Sequence, residues 1–94
     1  LIPFKAKAWL DLTVRKDREE AIDSKNIRKH KNDVFRLSVL LPQDLRVSLS
    51  ATIWEDMQAF ITAMNEESVD TKQLGITRSK NDVLAILSEV YVAP

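Results

Sequence analysis

Three sets of side chains in this chain have the type and spacing to do chemistry. The first is Lys5, a cation set among Phe4, Ala8, Trp9 and Leu12 in the stretch FKAKAWLDL. An ammonium in apolar surroundings either snorkels to water along its own stem or takes an anion, a carboxylate or a phosphate, as partner. The second is the tetrapeptide KNDV, which occurs as Lys31-Asn32-Asp33-Val34 and again as Lys80-Asn81-Asp82-Val83. Asp33 is the natural carboxylate for Lys5 if their helices pack side by side. The third is a row of cations, Lys25, Arg28, Lys29 and Arg36, whose charge could address a phosphate backbone without reading bases. His30, the single histidine, falls on an apolar helix edge, where a packed and hydrogen-bonded ring is expected more than a catalytic one. With no cysteine there is no disulfide and no thiolate metal site, and one histidine makes a His-based metal cluster implausible, so no metal ligand is assigned to this chain.

The elements that must position these groups are helical. Pro3 suits a first helical turn, and the spacing predicts a helix from about Pro3 to Arg18. Asp23 and Ser24 are good N-cap residues for a second helix over Lys25 to Leu41, which Pro42 stops. At 100° per residue this helix gathers Ile27, His30, Val34, Leu37 and Leu41 on one side and Lys25, Lys29, Asn32 and Arg36 on the other, with Asp33 at the boundary. The connector QDLRVSL has room for extended backbone. A third helix, about Ser50 to Glu66, carries Ile53, Met57, Phe60, Ile61 and Met64 on one stripe. Ser79 and Asp82 make a capping-box-like start for a last helix over Lys80 to Tyr91, so the second KNDV is a helix start that needs no function. The first copy lies inside a helix, where Asn32 and Asp33 each cost several tenths of a kcal/mol relative to alanine. No strand alternation is persuasive. The expected fold is all-α, a small bundle of four main helices, with SVDTKQLGI supplying a short fifth turn before the only glycine, Gly75.

The 94 residues fit one domain with one core. The charge is balanced overall but lopsided along the chain: residues 1–46 hold 11 Lys/Arg against 7 Asp/Glu, and residues 47–94 hold 3 against 7. A basic half points to an anionic partner or to a plain solvated surface. No apolar run approaches the roughly 20 residues that cross a bilayer, and the residues from Leu1 lack the charged and apolar regions of a signal peptide, so a cytoplasmic location without membrane contact is expected. A start at Leu1 without an initiator is expected of the C-terminal part of a longer protein.

The residues FKAKAWLDL, followed after a polar loop by DSKNIRKHKNDVFRLSVLL, resemble the C-terminal helical part of AbiEii-like nucleotidyltransferases, a family tied to abortive-infection toxin and antitoxin systems. The resemblance is strongest from Leu1 to Leu41. It implies that Lys5, on the helix after a catalytic sheet, and Lys31 with Asp33, on the next helix, lie near a nucleotide-binding cleft. The family pattern often continues to another Asp before a leucine, where this chain has Arg36 before Leu37. The related polymerase-beta-type enzymes hold Mg²⁺ with a Gly-Ser turn and paired aspartates, and this chain has no Gly-Ser pair and no Asp-x-Asp. The resemblance therefore implies an upstream catalytic domain that supplies Mg²⁺ and binds a nucleoside triphosphate, with no catalytic residue in this chain. Its partners would be that domain and a cognate antitoxin or nucleic acid. The rival expectation is a non-enzymatic helical module that binds nucleic acid or protein through the basic face of the second helix. A third is a structural domain that only stabilises the upstream fold.

Overall fold

The computed structural model describes residues 2–17, 24–42 and 44–94. Among these, the chain forms α1 (Ile2–Asp17), α2 (Ser24–Ser38), α3 (Ala51–Met64) and α4 (Lys80–Val90), and a short strand β1 (Val47–Ser48) pairs in parallel with β2 (Tyr91–Val92). The all-α class holds, and the helices fall where hydrophobic spacing puts them. The expected end of the first helix at Arg18 and the cap residue Asp23 lie outside the described residues.

Side-chain oxygens start the later helices. Ser50 Oγ accepts from Ile53 N–H at 3.4 Å ahead of α3, and Ser79 Oγ accepts from Asp82 N–H at 3.2 Å ahead of α4. Each satisfies one backbone donor that a helix start leaves without an intrahelical acceptor. The expected fifth turn is present and capped at both ends. Asp70 Oδ1 accepts from Lys72 N–H at 3.1 Å and from Gln73 N–H at 3.4 Å. At its far end Ile76 N–H reaches Thr71 O at 2.9 Å and Gly75 N–H reaches Lys72 O at 3.0 Å, with Gly75 at φ +74°. That pair of bonds closes a helical turn only when the penultimate residue is left-handed, which is why the one glycine stands there.

Two boundaries differ from expectation. The second helix stops at Ser38, not Leu41, because Ser38 Oγ donates to Phe35 O at 2.6 Å and the next bonds, Leu40 N–H to Leu37 O and Leu41 N–H to Ser38 O, skip only three residues and tighten the chain out of α geometry. Tyr91, expected to end the last helix, instead opens β2, where Val47 pairs with Tyr91, Ser48 with Val92, and Leu49 N–H donates to Val92 O at 3.0 Å. A two-residue strand carries no alternation to read, and its partner is remote in sequence.

The core is one cluster in which Val34, Phe35, Met57, Phe60, Met64, Val83 and Leu87 have no exposed surface. α1 joins it through Ile2, Ala6 and Trp9, and the Trp9 ring stands edge-on to Phe60, with centroids 5.5 Å apart and planes at 88°. The expected apolar sector of Phe4, Ala8, Trp9 and Leu12 is thus displaced around α1. Phe4 is 71% exposed, and only Trp9 of the four is buried.

Burial raises the Tyr91 phenol above its ordinary 10.0. The unfolded chain then releases this proton first as pH rises, so the folded state loses stability from pH about 10 upward until the folded phenol also ionises. Tyr91→Phe should remove that part of the decline, read as the difference between alkaline denaturation midpoints of the two chains. Equal midpoints would reject the burial argument.

Candidate functional site

Lys5 sits on the flank of the Ile2, Ala6, Trp9 stripe, so packing α1 against α2 carries it to the seam between the two helices. There its Nζ lies 3.3 Å from Asp33 Oδ2, with side chains 24% and 20% exposed. The contact expected from sequence is present. It also gives the first KNDV its reason, since an aspartate unfavourable inside α2 is engaged by a cation from the neighbouring helix. The other oxygen of the same carboxylate, Oδ1, is 3.8 Å from Arg36 Nη1 one turn further along α2. Asp33 therefore stands between two cations, one from each helix.

Lys31 is not brought to this pair. Two residues apart on a helix means about 200° around the axis, so Lys31 leaves α2 on the side away from Asp33. Its Nζ, on a side chain 13% exposed, lies 3.4 Å from Glu67 Oε1 just beyond α3. Lys80 closes the same corner by donating to Glu67 O at 2.9 Å and Asn65 O at 3.4 Å, placing a cation at the carbonyl end of α3. Lys31 thus ties α2 to α3 and has no part in the Lys5 seam.

The row Lys25, Arg28, Lys29 and Arg36 is exposed throughout. Arg36 is engaged by Asp33, and among the described residues no carboxylate lies within ion-pair distance of Arg28 or Lys29. His30 is half-buried in keeping with its apolar edge, but its Nδ1 is buried with no hydrogen-bond partner, as are Trp9 Nε1 and Thr13 Oγ1 on α1. The hydrogen bond expected of this ring is not made at Nδ1.

Sequence reasoning missed Lys7, whose Nζ is 3.3 Å from Asp11 and 3.9 Å from Asp56 of α3. The four-residue spacing from Lys7 to Asp11 was a legible signal, whereas the link to α3 was not. Lys7 and Asp56 rim an apolar hollow of about 460 Å³ with Pro3, Phe4, Thr52 and Ile53. A second hollow, about 320 Å³, lies over α4 between Leu41, Arg78, Ile86 and Glu89. Neither contains the Lys5 pair. Among the described residues no three His, Asp or Glu side chains could hold a metal ion together, so the Mg²⁺ that the family resemblance implies is assigned to none of them. No described helix is long and apolar enough to cross a membrane. Comparison with family models, curated proteins and solved structures found no match.

The two KNDV copies should respond differently to substitution. Asp82→Ala removes a first-turn carboxylate and should lower stability by roughly 0.5 to 1 kcal/mol, independently of Lys5. Asp33→Ala and Lys5→Ala should instead couple by about 1 kcal/mol in a double-mutant cycle read by urea denaturation, where unconnected sites add within about 0.5 kcal/mol. Additivity of the Lys5 and Asp33 changes would mean that the pair is not formed in solution.

Proposed function

We propose that this chain is the C-terminal helical part of an AbiEii-like nucleotidyltransferase, lining the cleft of an upstream catalytic domain and presenting Lys5 to substrate phosphate. The observation that supports this is the Lys5–Asp33 pair on the seam of α1 and α2. A helix seam built only for stability has little use for such a pair, because replacing a desolvated ion pair by well-packed apolar side chains is often neutral or stabilising. Here the pair is present and still partly open to solvent. Asp33 limits the rotamers of the lysine, and the ammonium has three donors, so it can hold the carboxylate and a phosphate oxygen together. Bond making at phosphorus is left to the upstream domain, and the role of this chain is to bind and orient. Lys31, held by Glu67, ties α2 to the segment just after α3 on the side away from Asp33 and takes no part in the pair.

A second reading has its own observation. Arg28 and Lys29 stand exposed without a carboxylate partner among the described residues, as expected of a surface that meets a polyanion. Such a surface releases counterions in proportion to the phosphates it neutralises, so its affinity falls steeply with salt, and each lost cation flattens the slope by about one unit.

The 94-residue chain alone should show no transfer from labelled triphosphate above a buffer control. Joined to its catalytic domain, Lys5→Ala should lower kcat/KM for transfer about tenfold, the loss of one charge-assisted hydrogen bond. The same substitution should leave RNA binding unchanged. Transfer by the isolated chain would overturn the division of labour. RNA binding by the chain tighter than about 1 μM at physiological salt, abolished by K25A/R28A/K29A, would favour the binding module instead.

A further inference from the structure

We infer that Lys5 and Arg36 together form a two-pronged seat for adjacent phosphates of a polyphosphate ligand, with Asp33 as the positioning residue between them. The inference rests on the cleft reading above and adds Arg36 and the ligand preference to it. Asp33 uses its oxygens separately, Oδ2 toward Lys5 and Oδ1 toward Arg36. An ammonium has three N–H donors and a guanidinium five, so each cation keeps donors for a further acceptor after meeting the carboxylate.

The charge is incomplete as it stands: two cations share one carboxylate. Among the described residues no other acid is within ion-pair distance of Lys5 or Arg36, since Asp11 and Asp56 engage Lys7, and Glu67 engages Lys31. The unbalanced positive charge is local and half open, with Lys5 24% and Arg36 54% exposed. Lys5 on the seam is the more covered of the two cations and Arg36 the more exposed. The prongs come from different helices and meet opposite oxygens of one carboxylate.

Asp33 also makes the seat selective. Its negative charge opposes any anion that approaches, so a ligand must carry enough charge on linked groups to engage both cations at once. Linked phosphates do this, and a single orthophosphate engages one prong while meeting the full repulsion of the carboxylate. The planar guanidinium suits two oxygens of one phosphate, and the compact ammonium suits the other phosphate as a point charge.

The test is titration of the 94-residue chain with inorganic tripolyphosphate, orthophosphate and a single-stranded RNA, followed by the arginine Nε–Hε NMR signals. Tripolyphosphate should shift the Arg36 signal and bind at least about tenfold tighter than orthophosphate, and R36A and K5A should each weaken it about tenfold, while R28A should not. R36K should keep part of the affinity. Asp33→Asn should lower the preference for tripolyphosphate over orthophosphate, a change that a purely structural aspartate would not cause. Weakening by K5A but not R36A overturns the two-pronged seat and leaves the Lys5 reading standing. No effect of either overturns both. Equal weakening by R28A, or RNA binding tighter than tripolyphosphate and lost in R36A, replaces the seat by a diffuse polyanion surface.

Discussion

The packing of α1 through Ala6 and Trp9 is the constraint on which the other contacts depend. Ala6 is fully buried and has almost no side chain, so the backbone of α1 can come close to its neighbours. Trp9, one turn later, is also buried and meets Phe60 of α3 edge-on. A small residue and a large one on the same stripe fix both the distance and the register of the helix. Once that register is set, Lys5 has to fall on the α2 seam, and Asp33 is the carboxylate it meets there. Moving the stripe by one residue would turn α1 by about 100° and carry Lys5 off the seam, so the ion pair follows from the packing and does not cause it.

The lopsided charge of the chain acquires a different meaning in the folded state. Cations of the basic first half reach acids of the second: Lys7 meets Asp56 and Lys31 meets Glu67. Part of the asymmetry is thus spent inside the molecule, joining α1 and α2 to α3. The Lys7 pair is exposed and contributes little, about 0 to 1 kcal/mol. The Lys31 side chain is mostly covered, so removing Glu67 alone would leave a poorly solvated ammonium beside α3. What remains for an external anion is smaller and better placed than the sequence count suggests: the Asp33-centred group and the exposed Arg28 and Lys29.

The identical tetrapeptides show how context assigns a role. In Lys80-Asn81-Asp82-Val83 the aspartate lies in the first turn behind the Ser79 cap and acts on its own helix. In Lys31-Asn32-Asp33-Val34 the lysine and aspartate leave a helix interior on opposite sides, one to Glu67 and one to Lys5. Only the first kind of role is local, and only that one can be settled from neighbours in the chain. The cost of Asn32 and Asp33 inside a helix was visible, but not what offsets it.

The sequence by itself determined the all-α class, the four helices, the short turn within SVDTKQLGI, and the starts at Ser50 and Ser79. These follow from periodicity, caps and backbone freedom within a few residues, which any chain carries in its local order. Lys5 and Asp33 were legible as candidates because a lysine beside an apolar stripe and an aspartate inside a helix both run against local preference. Tertiary structure alone decided the parallel pairing of Val47 with Tyr91, the exposure of Phe4, and the meeting of Lys31 with Glu67. Each depends on which of several adjacent faces meets a partner remote in sequence. A rotation of a few tens of degrees about a helix axis leaves the apolar periodicity almost unchanged while exchanging one buried neighbour for another, so only the packed core could choose among them.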